Sequence, residues 1–178
     1  MRSVRRYLFA SGLVLACALT LSVSGQFPIA GKLNIWTVRP VSRQHRTSST
    51  VRAVRVAKQA GFDRVVFEFD GPVPNYSVQY LKSDYYEGED GRHKIRMAGS
   101  RFVQVELNQI SSDDKQMQFI EAKGFIPKGK LNLPAVMQVD DRALFEGFYD
   151  FLIGVNGRKP FRVTEFSDPS RLVIDFKH

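Results

Sequence analysis

The sequence predicts an all-β fold: a two-sheet β-sandwich with an internal pseudo-twofold repeat, preceded by an N-terminal signal or anchor helix and a linker. Three observations carry that expectation. Short apolar–polar alternations recur from residue 51 to the end, separated by Gly, Pro, Asn and Asp turn residues. Beyond the N-terminal segment no run sustains a helical period. Finally, "GFDRVVFEFDG" at 61–71 is nearly repeated as "PSRLVIDFK" at 169–177. Of the 178 residues, 43% are hydrophobic and 25% charged, which is the composition of a folded domain and not of a disordered chain.

The opening "MRSVRRYLFASGLVLACALTLSVSG" sets Arg2, Arg5 and Arg6 before an uncharged apolar run from Tyr7 to Gly25. That is the arrangement of a secretory signal peptide, with the small residues Ser24 and Gly25 at the cut, so residues 1–25 read as a signal. Two alternatives stand beside it. Lipoprotein processing would make Cys17 of "VLAC" the lipidated N-terminus, and an uncleaved segment, near the ~20 residues that cross a bilayer, would be an anchor. Each version places the remainder outside the cytoplasm, in the periplasm or cell envelope. Cys17 is the single cysteine, so the exported part must hold by packing alone.

Removing Arg2, Arg5 and Arg6 leaves 23 basic against 18 acidic residues, a net +5 for 26–178. Lys32, Arg39, Arg43, Arg46, Arg52, Arg55 and Lys58 all precede the first acid, Asp63. Residues 26–50 mix Pro, Gly, Ser and Thr and read as a basic linker, either a solvated tether or one drawn to an anionic membrane surface. Nucleic acid is not an expected partner outside the cytoplasm. Trp36 is the oddity of this linker, read as packed opportunistically by a partly ordered arm.

The sandwich domain is expected over 51–178. "VRAVRVAKQ" forms its first strand and turns at Ala60-Gly61. In "RVVFEFD", Val65, Phe67 and Phe69 point one way and Arg64, Val66, Glu68 and Asp70 the other, until Gly71-Pro72 stops the strand. "YSVQYL" alternates again. "KIRMAGSRFVQVEL" reads as one long strand with Gly99 as a bulge. Residues 109–134 read as a long loop or a short helical excursion. "AVMQVDDRALF", "GFYDFLIGV", "PFRVTEF" and "RLVIDF" complete about eight strands, with turns at Asn156-Gly157 and Ser167-Asp168-Pro169.

Overlaying 64–69 on 171–176 matches Arg64 with Arg171 and Glu68 with Asp175, each Arg four residues before its acid and so on the same strand face. This predicts matching places in the core and, more specifically, antiparallel neighbours in which Arg64 faces Asp175 and Arg171 faces Glu68. Such cross-strand pairs contribute ~0.2–1 kcal/mol each.

Taken together, "GFDRVVFEFDGPVPNYSVQY", "IRMAGSRFVQVEL" and "KPFRVTEFSDPSRLVIDF" resemble the AMIN-like domain of secreted bacterial proteins and lipoproteins, a relative of the AMIN domain, over about residues 51–178. The pattern departs at 109–134 and around "DDRALFEGFYDF", where only Phe145-Glu146-Gly147 fits. The resemblance implies a β-sandwich of two symmetric sheets. The related AMIN domains are non-catalytic modules that place envelope proteins at the cell wall by binding peptidoglycan, and the resemblance implies a non-catalytic envelope module here.

Catalytic patterns are thin. His45, His93 and His178 lie in separate segments, so they do not suggest a zinc site. No Gly-x-Ser-x-Gly elbow occurs, and Asp84, Glu87, Glu89 and Asp90 crowd one acidic loop. The expected function is therefore a binding module without cofactor or metal. Its ligand would be wall polysaccharide or an envelope protein, held by aromatic rings with Arg or Lys for acidic groups. Tyr80, Tyr85, Tyr86, Arg92 and Lys94 are the first candidate contacts, and Lys159, Phe161 and Arg162 a second set. A structural subunit of an envelope complex and a secreted hydrolase are the competing readings.

Overall fold

Val41–Arg43 (β1), Asn75–Tyr80 (β4), Arg101–Asn108 (β7), Phe148–Val155 (β9) and Val136–Phe145 (β8) lie side by side in that order as one antiparallel sheet. Phe161–Ser167 (β10), Ser170–Lys177 (β11), Phe62–Asp70 (β3) and Thr50–Gln59 (β2) form the second. The computed structural model describes residues 34–88 and 91–178. The signal, anchor and lipidation readings of residues 1–25, Cys17 included, fall outside the described residues. Described here are the two sheets, a two-stranded ribbon of Tyr85–Gly88 (β5) and Gly91–Lys94 (β6), and one short helix, Asp114–Glu121 (α1).

The alternation read in the sequence builds the sandwich. On β3, Val65, Phe67 and Phe69 are buried, and on β7 Val103, Val105 and Leu107 face them across the core. The Phe67 and Phe151 rings meet edge to face at 5.1 Å, joining the two sheets at the centre. Burying large apolar side chains from both sheets stabilises by ~1.5–3 kcal/mol each, which is what a domain without disulfides depends on.

The register of the repeated words is the predicted one. β11 runs antiparallel to β3 with Asp175 opposite Arg64 and Arg171 opposite Glu68. The arginine–acid spacing thus brings both polar pairs onto the outer face of the four-stranded sheet.

Two local readings change. Residues 34–50 do not hang free as a linker. Asn34 and Thr37 hydrogen-bond to the β10 edge at Val163 and Phe161, and β1 pairs with β4 in the other sheet. This strap crosses the open side of the sandwich because both sheet edges there carry unpaired backbone groups that need partners. Trp36 packs with it, its ring 6.1 Å from Phe62 and 4.7 Å under the Arg162 guanidinium.

Gly99 marks no bulge in a continuous strand. β6 ends at Lys94, β7 begins at Arg101, and between them the chain crosses β9 backbone on backbone. A Cβ on Gly99 (φ +138°) would come within 2.8 Å of Gly154 Cα, and one on Gly154 within 1.8 Å of the Ala98 carbonyl oxygen. Only glycine at both positions permits that approach.

The 109–134 stretch is the helical excursion with a purpose. Asp113 caps α1 by accepting from Gln116 N at 3.0 Å, which turns the Gln116 side chain onto β2. There its amide accepts from Val51 N at 2.7 Å and donates to Val51 O at 2.9 Å, while Val54 N donates to Phe125 O at 2.7 Å. A side-chain amide and a loop thereby occupy the β2 edge, where a further strand would otherwise dock.

Candidate functional site

The crossing at Gly99 and Gly154 opens a groove of about 700 Å³ between the loop after β4, the segment 95–102 and the β9–β10 turn. Its walls combine Tyr80 and Phe102 with the exposed cations Lys82, Arg101 and Arg158, against one exposed acid, Asp84. Apolar rings beside cations in a concave site suit a ligand with flat apolar faces and negative substituents.

Several wall residues are held. Tyr80, on β4, donates its hydroxyl to the Lys159 carbonyl at 2.7 Å, and the Arg158 guanidinium lies 5.5 Å over its ring. Burial pushes the Tyr80 hydroxyl up to about 12, so it remains a proton donor at neutral pH. Ser100 Oγ accepts from Gly157 N at 2.9 Å, tying the two loops across the groove, and Arg101 Nη1 donates to the carbonyl of its neighbour Ser100 at 2.8 Å. Lys94 reaches Asp84 at 3.9 Å, an exposed pair that contributes little to stability.

The family model of the AMIN-like domain matches residues 49–178. The chain belongs to the AMIN-like domain family. That membership implies an envelope location outside the cytoplasm and association with peptidoglycan in general. No curated protein and no solved structure matches the chain. The AMIN-like match begins at Ser49, so the strap from Asn34 to Ser48 lies ahead of it. Among the described residues no helix is long and apolar enough to cross a membrane.

Of the first set of candidate contacts, Tyr80 lines the groove and Lys94 joins it through Asp84. The β5–β6 ribbon carries the others. Tyr86 turns inward beside Ile95, Phe102 and Leu152 on the outer face of the five-stranded sheet, 5.6 Å below the Arg142 guanidinium. Tyr85 sits on the ribbon's other side with Arg92 stacked 4.5 Å over its ring. The ribbon thus covers one end of that sheet face and raises a tyrosine–arginine stack beside the groove.

The second set separates and is no single site. Phe161 is fully buried, 6.0 Å from both Tyr80 and Phe176, and as a core residue it offers a ligand no surface. Lys159 gives its carbonyl to Tyr80. Arg162 lies on the outer face of the four-stranded sheet, bound to Asp175 at 2.9 Å. The cause is strand alternation: Phe161 and Arg162 are successive residues of β10 and so point to opposite sides.

Two features were not legible beforehand. His45 and His178, assigned to a linker and a terminus, each lie against a fully buried acid: His45 Nε2 is 3.3 Å from Glu165 and His178 Nε2 is 3.0 Å from Asp63. Asp63 also accepts from Ala135 N and Val136 N. On the outer sheet face, Glu106 and Asp150 oppose each other directly across β7 and β9. Burial, then the Glu106 charge, push Asp150 up to about 6. The polar positions inside "FVQVEL" and "FYDFLIGV" were the available signal, but which of them meet depends on strand order.

Proposed function

We propose that the chain is a non-catalytic extracytoplasmic module that attaches to cell-wall glycan through the basic groove at Tyr80, Arg101 and Arg158. One observation carries this reading: three exposed cations face a single acid around one groove, on a domain whose family is associated with peptidoglycan. Sugar rings pack beside Tyr80, and the cations take carboxylates of the wall polymer. The Tyr85–Arg92 stack extends the surface. The exposed basic residues Arg39, Arg46, Arg52 and Lys58 add contact with the anionic membrane surface.

Retention on purified wall sacculi tests it. The protein is expected to be retained at moderate salt, and retention is lost in Arg101→Glu/Arg158→Glu and weakened when Tyr85 and Arg92 become alanine. Undiminished retention of both variants removes the groove from the reading.

A second reading, an envelope-protein contact within a larger complex, is favoured by the β8–β9 hairpin tip. Phe145 and Phe148 pair directly across it and each is 49% exposed. Absence of retention by the wild-type chain moves the weight to that surface.

A further inference from the structure

Ile35 is the most exposed large apolar side chain among the described residues, at 62%. It sits where the strap joins the β10 edge, between the bonds that Asn34 N and Thr37 N donate to Val163 and Phe161. Strand alternation puts Arg162 of β10, Asp175 and Lys177 of β11, and Phe62 and Arg64 of β3 together on the outer face of the four-stranded sheet, at this same end. Trp36 joins them. Its ring meets Phe62 edge to face, and the Arg162 guanidinium lies 4.7 Å from one ring and 5.0 Å from the other while bonded to the buried Asp175. The two partly exposed rings are thereby held in place at the surface.

The exposed charge around them has one sign. Three register rows cross this end of the sheet, starting from Ala57, Lys58 and Gln59 on β2. Their acids are Asp63 and Asp175, both buried. Asp63 accepts from Ala135 N and Val136 N and lies against His178, and Asp175 is shared by Arg64 and Arg162. Lys58 and Lys177 are exposed in the same rows, and Arg39 is exposed two residues past Thr37.

We propose that this end of the four-stranded sheet docks on an anionic phospholipid surface, with Ile35 and Trp36 entering the headgroup layer and Arg39, Lys58 and Lys177 meeting lipid phosphates. Exposed apolar and indole side chains ringed by cations match a bilayer interface, whereas a soluble acidic polymer would call on the cations alone. The chain ahead of the described residues argues for the same occupant. Its uncharged apolar run ends at Gly25, nine residues before Asn34, which is at most about 30 Å of extended chain. A bilayer that holds this run, or a lipid on Cys17, therefore lies within reach of Ile35. The proposal rests on the membrane contact read above and confines it to one face, since Arg52 lies beside Asp70 at the opposite end.

Trp36 is the single tryptophan of the chain, so its fluorescence reports on this face alone. The full chain is mixed with vesicles of phosphatidylcholine, or of phosphatidylcholine and phosphatidylglycerol in equal parts, carrying brominated acyl chains. With the anionic vesicles the Trp36 emission is expected to move to the blue and to be quenched, an effect that fades as salt is raised. Lys177→Glu weakens the partition by about tenfold, and Ile35→Asp removes the quenching. Both side chains are exposed, and a thermal melt shows whether each variant stays folded. Quenching that is equal in the two kinds of vesicle, that ignores Lys177→Glu, or that never occurs overturns the proposal. Emission that moves on sacculi and not on vesicles overturns it as well, giving the face to a wall polymer. Sacculus retention reads Arg101 and Arg158 while this titration reads Ile35 and Lys177, so either reading can fail while the other stands.

Discussion

Arg64 on β3 and Asp175 on β11 stand directly opposite each other, and the guanidinium grips the carboxylate through two hydrogen bonds of 2.7 and 3.0 Å. Asp175 is almost wholly buried and takes a third bond from Arg162 Nε at 2.9 Å. The hydrogen bond and charge of Asp175 raise Arg64 above its ordinary value against the opposing effect of burial. At the second matched pair, Glu68 is also met by Arg55 at 3.4 Å, and Arg171 lies over the Phe166 ring while donating to the Pro169 carbonyl.

Because Asp175 serves two arginines, its loss should exceed the loss of either. Asp175→Ala is expected to destabilise by about 3 kcal/mol, and Arg64→Ala, which leaves Arg162 in place, by about 1–2 kcal/mol. Urea unfolding midpoints measure both. Equal losses would mean that Arg162 does not share the carboxylate.

Gln116 is fully buried and completes the β2 edge at the irregularity between Val51 and Ala53. Gln116→Ala leaves Val51 N–H and C=O unpaired and should cost about 2–3 kcal/mol. It also uncovers a strand edge, so concentration-dependent association in size-exclusion chromatography is expected to accompany the drop.

Gly154→Ala drives a Cβ into the Ala98 carbonyl and forces the 95–100 crossing off β9. A loss of about 3 kcal/mol is expected. Since that crossing forms one wall of the basic groove, retention on sacculi should fall even at temperatures where the variant is folded. Gly124→Ala, whose Cβ meets nothing within 4 Å and which adds only the local strain of φ +81°, should leave retention intact where the variant is folded.

Asp150 opposes Glu106 and is held at about 6, above the reference 3.8, by burial first and that charge second, with the Gln104 hydrogen bond pulling the other way. An acid raised in the fold binds its proton more tightly there than in the unfolded chain. Its contribution is therefore complete at low pH and is lost as pH rises through about 6. Asp150→Asn should flatten that decline and be more stable than the parent above neutrality by about 1 kcal/mol, after allowance for solvent screening. Thermal melts between about pH 4 and pH 8 give the profile.

Much of the fold was legible because strand alternation is a local property. Val65, Phe67 and Phe69 declare a buried face in any register, and the echo of Arg64 to Glu68 by Arg171 to Asp175 contained enough symmetry to give their pairing. Tyr80 and Lys94 were found for the groove because they stand close to it in the chain. Arg101, Arg158 and Phe102 were passed over, since their convergence depends on two glycines meeting across β9.

The sequence alone determined the all-β class, the strand faces, the pairing of the repeated words and the family. Tertiary structure alone decided that the supposed linker is a strap, that Phe161 is core, and that His45 and His178 end beside buried acids. Alternation tells which way a side chain points, but not which strand lies next to it. Strand order is fixed by closing distant segments into two sheets, and every contact that makes a site here crosses that order.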